Sequence, residues 1–263
     1  VEEFRGLIAS PLGFLIGVSL GALGGGGSIL AVPALVYAAG QQPRAATTTS
    51  LLVVGLTALS SMATHLRAGP VRVGTGIVFA AVGTAGSTLG TMLNRSVDPQ
   101  VLLLAFAGVM VVAAWRMWVG NKKLAASAVP DDAGTRWTAE TIVKIVVAGS
   151  FVGFLTGFFG VGGGFVIVPA LVLALRLPMP EAVGTSLLVI GLNSAYAFVG
   201  RVGTVGVEWR VALPFLVAGL AGSVVGKRIA DRLPAATLTR AFVGLLVVVA
   251  AYTAARSAFT LLG

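Results

Sequence analysis

Two glycine runs and two hydroxyl pairs hold the residues here whose types and spacing could do chemistry. The runs are Gly24-Gly25-Gly26-Gly27-Ser28 and Gly160-Val161-Gly162-Gly163-Gly164; the pairs are Thr49-Ser50 and Thr185-Ser186. Each glycine costs a helix about 1 kcal/mol against alanine, so a run of them breaks it. Amides exposed at the start of the next helix carry partial positive charge, which suits an anion without any cationic side chain. The same glycines could equally serve only a tight turn or close packing. The hydroxyls open the following helix in each case and could cap orphan amides or donate hydrogen bonds to a bound oxyanion. Asn193 is the most polar residue of an otherwise apolar stretch and a candidate extra donor, with helix–helix hydrogen bonding as the plain alternative. His65 and Arg201 stand at the ends of apolar stretches. There they could attract an anion, gate its path or, for the histidine, sense protons; interfacial anchoring is the alternative.

Other chemistries are excluded or disfavoured. With no cysteine and one histidine, a metal cluster and a thiol nucleophile are both ruled out, and no cofactor is implied. Neither glycine run is a clean G-x-G-x-x-G after a strand, as a dinucleotide loop requires. No carboxylate lies well inside an apolar stretch, which argues against an Asp or Glu proton relay. The chain does not read as an enzyme. Its net charge of +9 comes from 18 Lys and Arg spread over short polar connections, a pattern that suits membrane topology and not a nucleic-acid partner.

The elements that must position these residues are membrane helices. The chain is 57% hydrophobic and 10% charged, against roughly 25% charged in a soluble domain. Uncharged runs such as 73–93 reach the ~20 residues needed to cross ~30 Å of hydrocarbon. Thirty-six glycines with few alternating stretches argue against a membrane barrel and for closely packed helices. Glu2 and Glu3 lie where the positive end of a signal peptide belongs, so the first segment is expected to be structural. Trp115, Trp118, Trp137 and Trp209 fall near segment ends, as interfacial aromatics should.

Shifted by 136 residues, the sequence matches itself. Gly21 to Val36 lies over Gly157 to Val172 with nine identities in sixteen, including Val-Pro-Ala-Leu-Val. Ala46 to Leu56 lies over Ala182 to Leu192 without a gap, and Gly83 to Gly90 over Gly219 to Gly226. Leu102, Phe106 and Gly108 meet Leu238, Phe242 and Gly244; His65 meets Arg201. Apolar composition yields chance Leu and Val matches, but not the same glycines, prolines and Thr-Ser pair in register. Two repeats, 1–120 and 142–263, are expected to flank a polar cytoplasmic linker at 121–141. Each has a Gly-broken first segment and three plainer spans.

The first segment, 4–39, would measure about 54 Å as one helix, too long for one crossing. A hairpin at Gly24 to Gly27 gives about ten membrane segments and makes the second half inverted; a broken single crossing gives eight and makes the halves parallel. The cations favour the hairpin only slightly, and length with parity carries the expectation of inverted repeats. That plan recurs among secondary transporters because pseudosymmetric halves can exchange inward-open and outward-open states.

At G-x-x-G-x-G-G-G-x-x-x-x-P-x-L, carried by Gly157, Gly160, Gly162, Gly163, Gly164, Pro169 and Leu171, and at A-x-G-T-S-L-L-x-x-x-x-N, carried by Ala182, Gly184, Thr185, Ser186 and Asn193, the chain resembles the sulfite exporter TauE/SafE family of bacterial permeases. The first half carries the glycine pattern in weaker form through Gly21, Gly24, Gly26, Gly27, Pro33 and Leu35. It departs at Thr48 for Gly184 and Thr57 for Asn193. The resemblance implies transport across the bacterial inner membrane of a small anion such as sulfite or an organosulfonate. The expected reading is an all-α, polytopic permease in the lipid bilayer, with a small anion held between the glycine breaks by backbone amides, Thr49, Ser50, Thr185, Ser186 and Asn193. A passive anion channel and a carrier of a non-sulfur anion are the alternatives. A coupling ion, H+ or Na+, and a homo-oligomer are both compatible with the sequence.

Overall fold

A computed structural model describes residues 2–68, 71–94, 97, 99–124, 138–159, 164–203 and 206–262. The described residues form ten α-helices and one 3-10 turn, with no strand among them: α1 Glu2–Leu23, the turn Gly25–Gly27, α2 Ser28–Tyr37, α3 Pro43–Ala68, α4 Val73–Asn94, α5 Pro99–Leu124, α6 Ala139–Phe159, α7 Gly164–Leu173, α8 Met179–Val202, α9 Trp209–Asp231 and α10 Ala235–Leu262. Seven of these are long and apolar enough to cross a membrane. Leu15, Val112, Val147, Phe151, Val217 and Val248 are exposed on their outer faces, which is the pattern of a protein dissolved in lipid, and the chain is an all-α multi-pass membrane protein. Trp115, Trp118 and Trp209 are exposed near helix ends; Trp137 lies outside the described residues. α5 runs on to Leu124 and α6 starts at Ala139, so the expected linker is helical at both ends; residues 125–137 lie outside the described residues.

α2 and α7 are ten residues each, about 15 Å and half a bilayer. Each carries the proline of the repeated Val-Pro-Ala-Leu-Val, Pro33 and Pro169, inside the helix. The first broken segment folds back on itself: a Cβ at Gly27 would press on the Ile16 carbonyl and the Leu20 side chain of α1.

Packing follows the internal repeat. α1 packs on α9 and its counterpart α6 packs on α4, while α3 meets α8, α5 meets α10 and α2 meets α7. The α1/α9 and α4/α6 seams are glycine-lined. A Cβ at Gly13, Gly17 or Gly21 would land on the backbone of Phe215, Gly219 or Ser223, and one at Gly153 or Gly157 on that of Gly83 or Ser87. Such close approach is what holds membrane helices together when lipid is as apolar as leucine. In both seams residue numbers rise together, so the paired helices run parallel. α3 and α8 run antiparallel, with Gly55 beside Ser194, Leu59 beside Gly191 and His65 beside Gly184. These pairs centre on Thr57 and Asn193, which are equivalent in the repeat. Between α5 and α10 the core residues are Leu102, Phe106 and Met110 against Leu238, Phe242 and Leu246, again equivalent.

The turns repeat as well. The Gln41 amide donates to the Leu35 carbonyl and the Leu177 amide to the Leu171 carbonyl, both at 3.1 Å. The left-handed position in each turn is Gly40 (φ 65°) in one half and Arg176 (φ 53°) in the other. Arg176 alone among the described non-glycine residues has positive φ, and it adopts that strained conformation because the same turn is built twice.

Candidate functional site

The first glycine break meets Gly164, the start of α7, inside the protein. Gly24 has φ 71°, a conformation glycine adopts without steric cost, and it turns the chain out of α1 into the Gly25–Gly27 turn. Gly24 to Gly27 are buried. A Cβ on Gly25 would fall on the Gly164 carbonyl, and one on Gly164 would meet Ser28 Oγ and, at 3.0 Å, the Gly25 carbonyl. The starts of α2 and α7 therefore touch backbone to backbone. The first amides of a helix have no intrahelical partner; at the start of α2 the preceding turn already takes the Ser28 amide, which donates to the Gly25 carbonyl. Gly162 and Gly163, expected to contribute, lie outside the described residues. Ser28 Oγ caps the turn by donating to the Gly25 carbonyl at 2.7 Å.

The hydroxyl pairs divide between places. Ser186 lies against Gly24, and its Oγ donates to the Val183 carbonyl at 2.8 Å; Ser50 donates to the Thr47 carbonyl at the same distance. These bonds are equivalent in the repeat. Both protons are thus spent on the helix's own backbone, and a serine must rotate away before it can donate to an anion. Thr185 sits apart from the break: its Oγ1 accepts from the Arg72 amide at 3.1 Å, at the entry to α4. Thr49 is fully buried and its Oγ1 has no hydrogen-bond partner. A buried unpaired hydroxyl costs roughly 1–3 kcal/mol, so Thr49 is a donor held in reserve, while Thr185, which only accepts in its bond from Arg72, keeps its own proton. Thr57 and Ser61 on the same helix are also buried with unpartnered oxygens. With His65 they form a polar stripe at four-residue spacing.

Asn193 lies between α8 and α4, where its Oδ1 is 3.4 Å from Thr84 Oγ1, the helix–helix contact that polar residues make in membranes. His65 and Arg201 have separated: His65 is buried with Nε2 3.1 Å from the Gly21 carbonyl, whereas Arg201 is exposed. This explains a difference between the halves. Val71 and the His65 ring press on Gly184, where a Cβ would meet Val71 at 2.8 Å; the matching Thr48 instead turns its hydroxyl to the Arg44 carbonyl.

Charges that looked like mere topology signals are engaged. Arg72 Nε bonds Glu181 Oε2 at 2.8 Å, tying the start of α4 to the start of α8. Its repeat equivalent Glu208 accepts from Gln41 Nε2 at 3.3 Å, tying α9 to the turn before α3. Lys227 is buried and paired with Asp231. The spacing Ser223, Lys227, Asp231 places all three on one helix face; with Gly219 and Gly226 beside them, that was the signal for an inward-facing lysine. Among the described residues no cluster of metal-binding side chains occurs.

Comparison with known proteins agrees with this architecture. The family model described as "Sulfite exporter TauE/SafE" matches residues 9–253. A "Probable membrane transporter protein" of Xylella fastidiosa strain Temecula1 is 37% identical over 252 residues, 93% of each chain. The "Probable membrane transporter protein YunE" of Bacillus subtilis is 29% identical over 249 residues, 89% of each. A "Probable membrane transporter protein" of Haemophilus influenzae is 26% identical, covering 93% of this chain and 96% of its own. No solved structure matches the chain. Multi-pass architecture, paired half-helices and a family match over nearly the whole length converge: the chain belongs to the sulfite exporter TauE/SafE family and is a membrane transporter.

Proposed function

We propose that this chain is a secondary permease that moves a small sulfur-containing anion, such as sulfite or an organosulfonate, across the bacterial inner membrane by alternating access. The observation that carries the reading is the backbone contact of the α2 and α7 starts at Gly25 and Gly164. Two helix N-termini lie against each other there at one buried locus, and the amides and positive end of a helix start favour negative charge. Transporter sites are often built this way from broken helices at the repeat interface. The anion is bound by these amides, with Thr49 and, after rotation, Ser50 and Ser186 as hydroxyl donors. Thr185 and Asn193 act next to the site through the helices they join. His65 gates one mouth and Arg201 attracts anions at the other.

The repeats 1–120 and 142–263 are inverted. Support comes from helix directions: α1 lies parallel to α9, α6 parallel to α4, and α3 antiparallel to its equivalent α8. His65 on the Gly21 carbonyl brings the C-terminal ends of α3 and α1 together, and Gly76 beside Leu188 with Thr84 beside Asn193 aligns α4 with α8. Equivalent helices therefore point opposite ways.

The test is flux into proteoliposomes of labelled sulfite and ethanesulfonate. Saturable uptake with counterflow is expected. Thr49→Val should raise the half-saturating concentration roughly ten- to a hundredfold, the worth of one hydrogen bond to a charge. Flux linear in concentration without counterflow would make the protein a channel, and an unchanged Thr49→Val would remove that residue from the site.

A further inference from the structure

A cavity of about 210 Å³ opens where α1, α3 and α9 end and α8 and α10 begin. Its lining is apolar, including Ala22, Val183 and Leu238, apart from three side chains: His65, Lys227 and Asp231. Both halves of the chain contribute. The cavity also adjoins the glycine break, because the carbonyl of its wall residue Val183 lies 3.3 Å from where a Cβ on Gly24 would be.

The Lys227–Asp231 pair is lopsided. The lysine side chain is 8% exposed and the aspartate 54%. A lysine four residues from a helix end would ordinarily snorkel to water; this one stays inside and faces the cavity. A buried ammonium needs a counter-charge, and removing its partner without replacement is costly. The aspartate is under no such constraint, since its carboxylate remains hydrated whether or not it touches the lysine, and exposed pairs of this spacing are worth little. An arriving anion can therefore take the aspartate's place on Lys227 while Asp231 turns to solvent.

We infer that this cavity is a second anion site, a vestibule to the central one, in which Lys227 binds the charged headgroup, Asp231 is the counter-ion that the headgroup displaces, and the apolar wall receives a short alkyl tail. This rests on the anion-transport reading above and narrows it. The favoured substrate class is a small amphiphilic anion, such as a short-chain sulfonate, over a bare oxyanion. His65 is the remaining polar wall. Its Nε2 is held by the Gly21 carbonyl, so a shift of the α1 end as the break rearranges is passed to the vestibule.

The experiment is equilibrium binding of labelled ethanesulfonate and sulfite to the full chain in lipid nanodiscs. Lys227→Met is expected to weaken ethanesulfonate binding at least roughly tenfold, Lys227→Arg to keep it within a few-fold, and Asp231→Asn to tighten it several-fold by removing the competitor. The double variant Lys227→Met/Asp231→Asn, which leaves no unpaired charge, guards against misfolding and should bind as weakly as Lys227→Met. Wild-type binding that Lys227→Met leaves unchanged, or Asp231→Asn that weakens binding, overturns the vestibule and leaves the transport reading standing. Wild-type protein that binds neither probe overturns both.

Discussion

Leucine at Gly17 or at Gly153 is expected to abolish recovery of folded protein, while leucine at Gly108 or Gly244 is expected to change little. The first two glycines sit in the equivalent α1/α9 and α4/α6 seams, where the atom nearest an added Cβ is a backbone carbonyl, that of Gly219 or Gly83. A flexible side chain could move aside; a helix backbone cannot. The helices must separate, losing dispersion contacts along the seam, and overpacking at even one tight site costs roughly 1–3 kcal/mol. Gly108 and Gly244 are equivalent to each other in the repeat and have open space where a Cβ would go, so leucine there should stay within about 0.5 kcal/mol of wild type. Size-exclusion profiles in mild detergent, with thermal melts, distinguish the two classes. A Gly17→Leu protein that elutes and melts like wild type would contradict the packing.

Alanine at Gly24 is expected to lower transport by roughly two orders of magnitude in protein that still inserts and folds. Its backbone, at φ 71°, costs an L-residue about 1–2 kcal/mol, and the added methyl collides with Ser186 Oγ, an overpacking term of about 1–3 kcal/mol. Together these amount to about 3 kcal/mol, or roughly a hundredfold in the population of the working conformation. The two causes are separable. Adding Ser186→Gly to Gly24→Ala removes the collision and leaves the backbone strain, so measured against Ser186→Gly alone, which already lacks that donor hydroxyl, Gly24→Ala should cost only about tenfold; coupling of this size is expected between residues in contact. Initial rates in proteoliposomes, normalised to inserted protein, read the effect. A Gly24→Ala cost that is the same in the wild-type and Ser186→Gly backgrounds would separate Ser186 from the break.

Most of the architecture was legible because a duplication reports on itself: glycines, prolines and a Thr-Ser pair in register at an offset of 136 cannot come from apolar composition. The fold honours that register down to single hydrogen bonds, as at Gln41 and Leu177. The sequence could not say where each hydroxyl points. Thr185 and Ser186 are neighbours in the chain, yet on a helix they face about 100° apart, so one meets the α4 entry and the other the glycine break. Asn193 was visible as a polar residue in an apolar helix, but its partner Thr84 is distant in sequence. Lys227 was masked because a cation near a helix end normally marks the membrane surface; its register with Gly219 and Ser223, which face α1, was the clue that it turns inward. Gly184 and Thr48 looked like a departure from the repeat; they are the consequence of a buried His65 on one side and an exposed Arg201 on the other.

The proposed inverted relation of the halves about the Gly25–Gly164 contact underlies both the proposed site and the proposed alternating access, and the absence of cysteine from the sequence makes it directly measurable. Gln42 and Pro178 are equivalent in the repeat, exposed, and in the turns that precede α3 and α8. With single cysteines at these positions, Gln42→Cys and Pro178→Cys, labelling of intact cells and of inverted vesicles by a membrane-impermeant maleimide should find the two on opposite sides of the membrane. Labelling of both from the same side would mean parallel halves and would contradict the account.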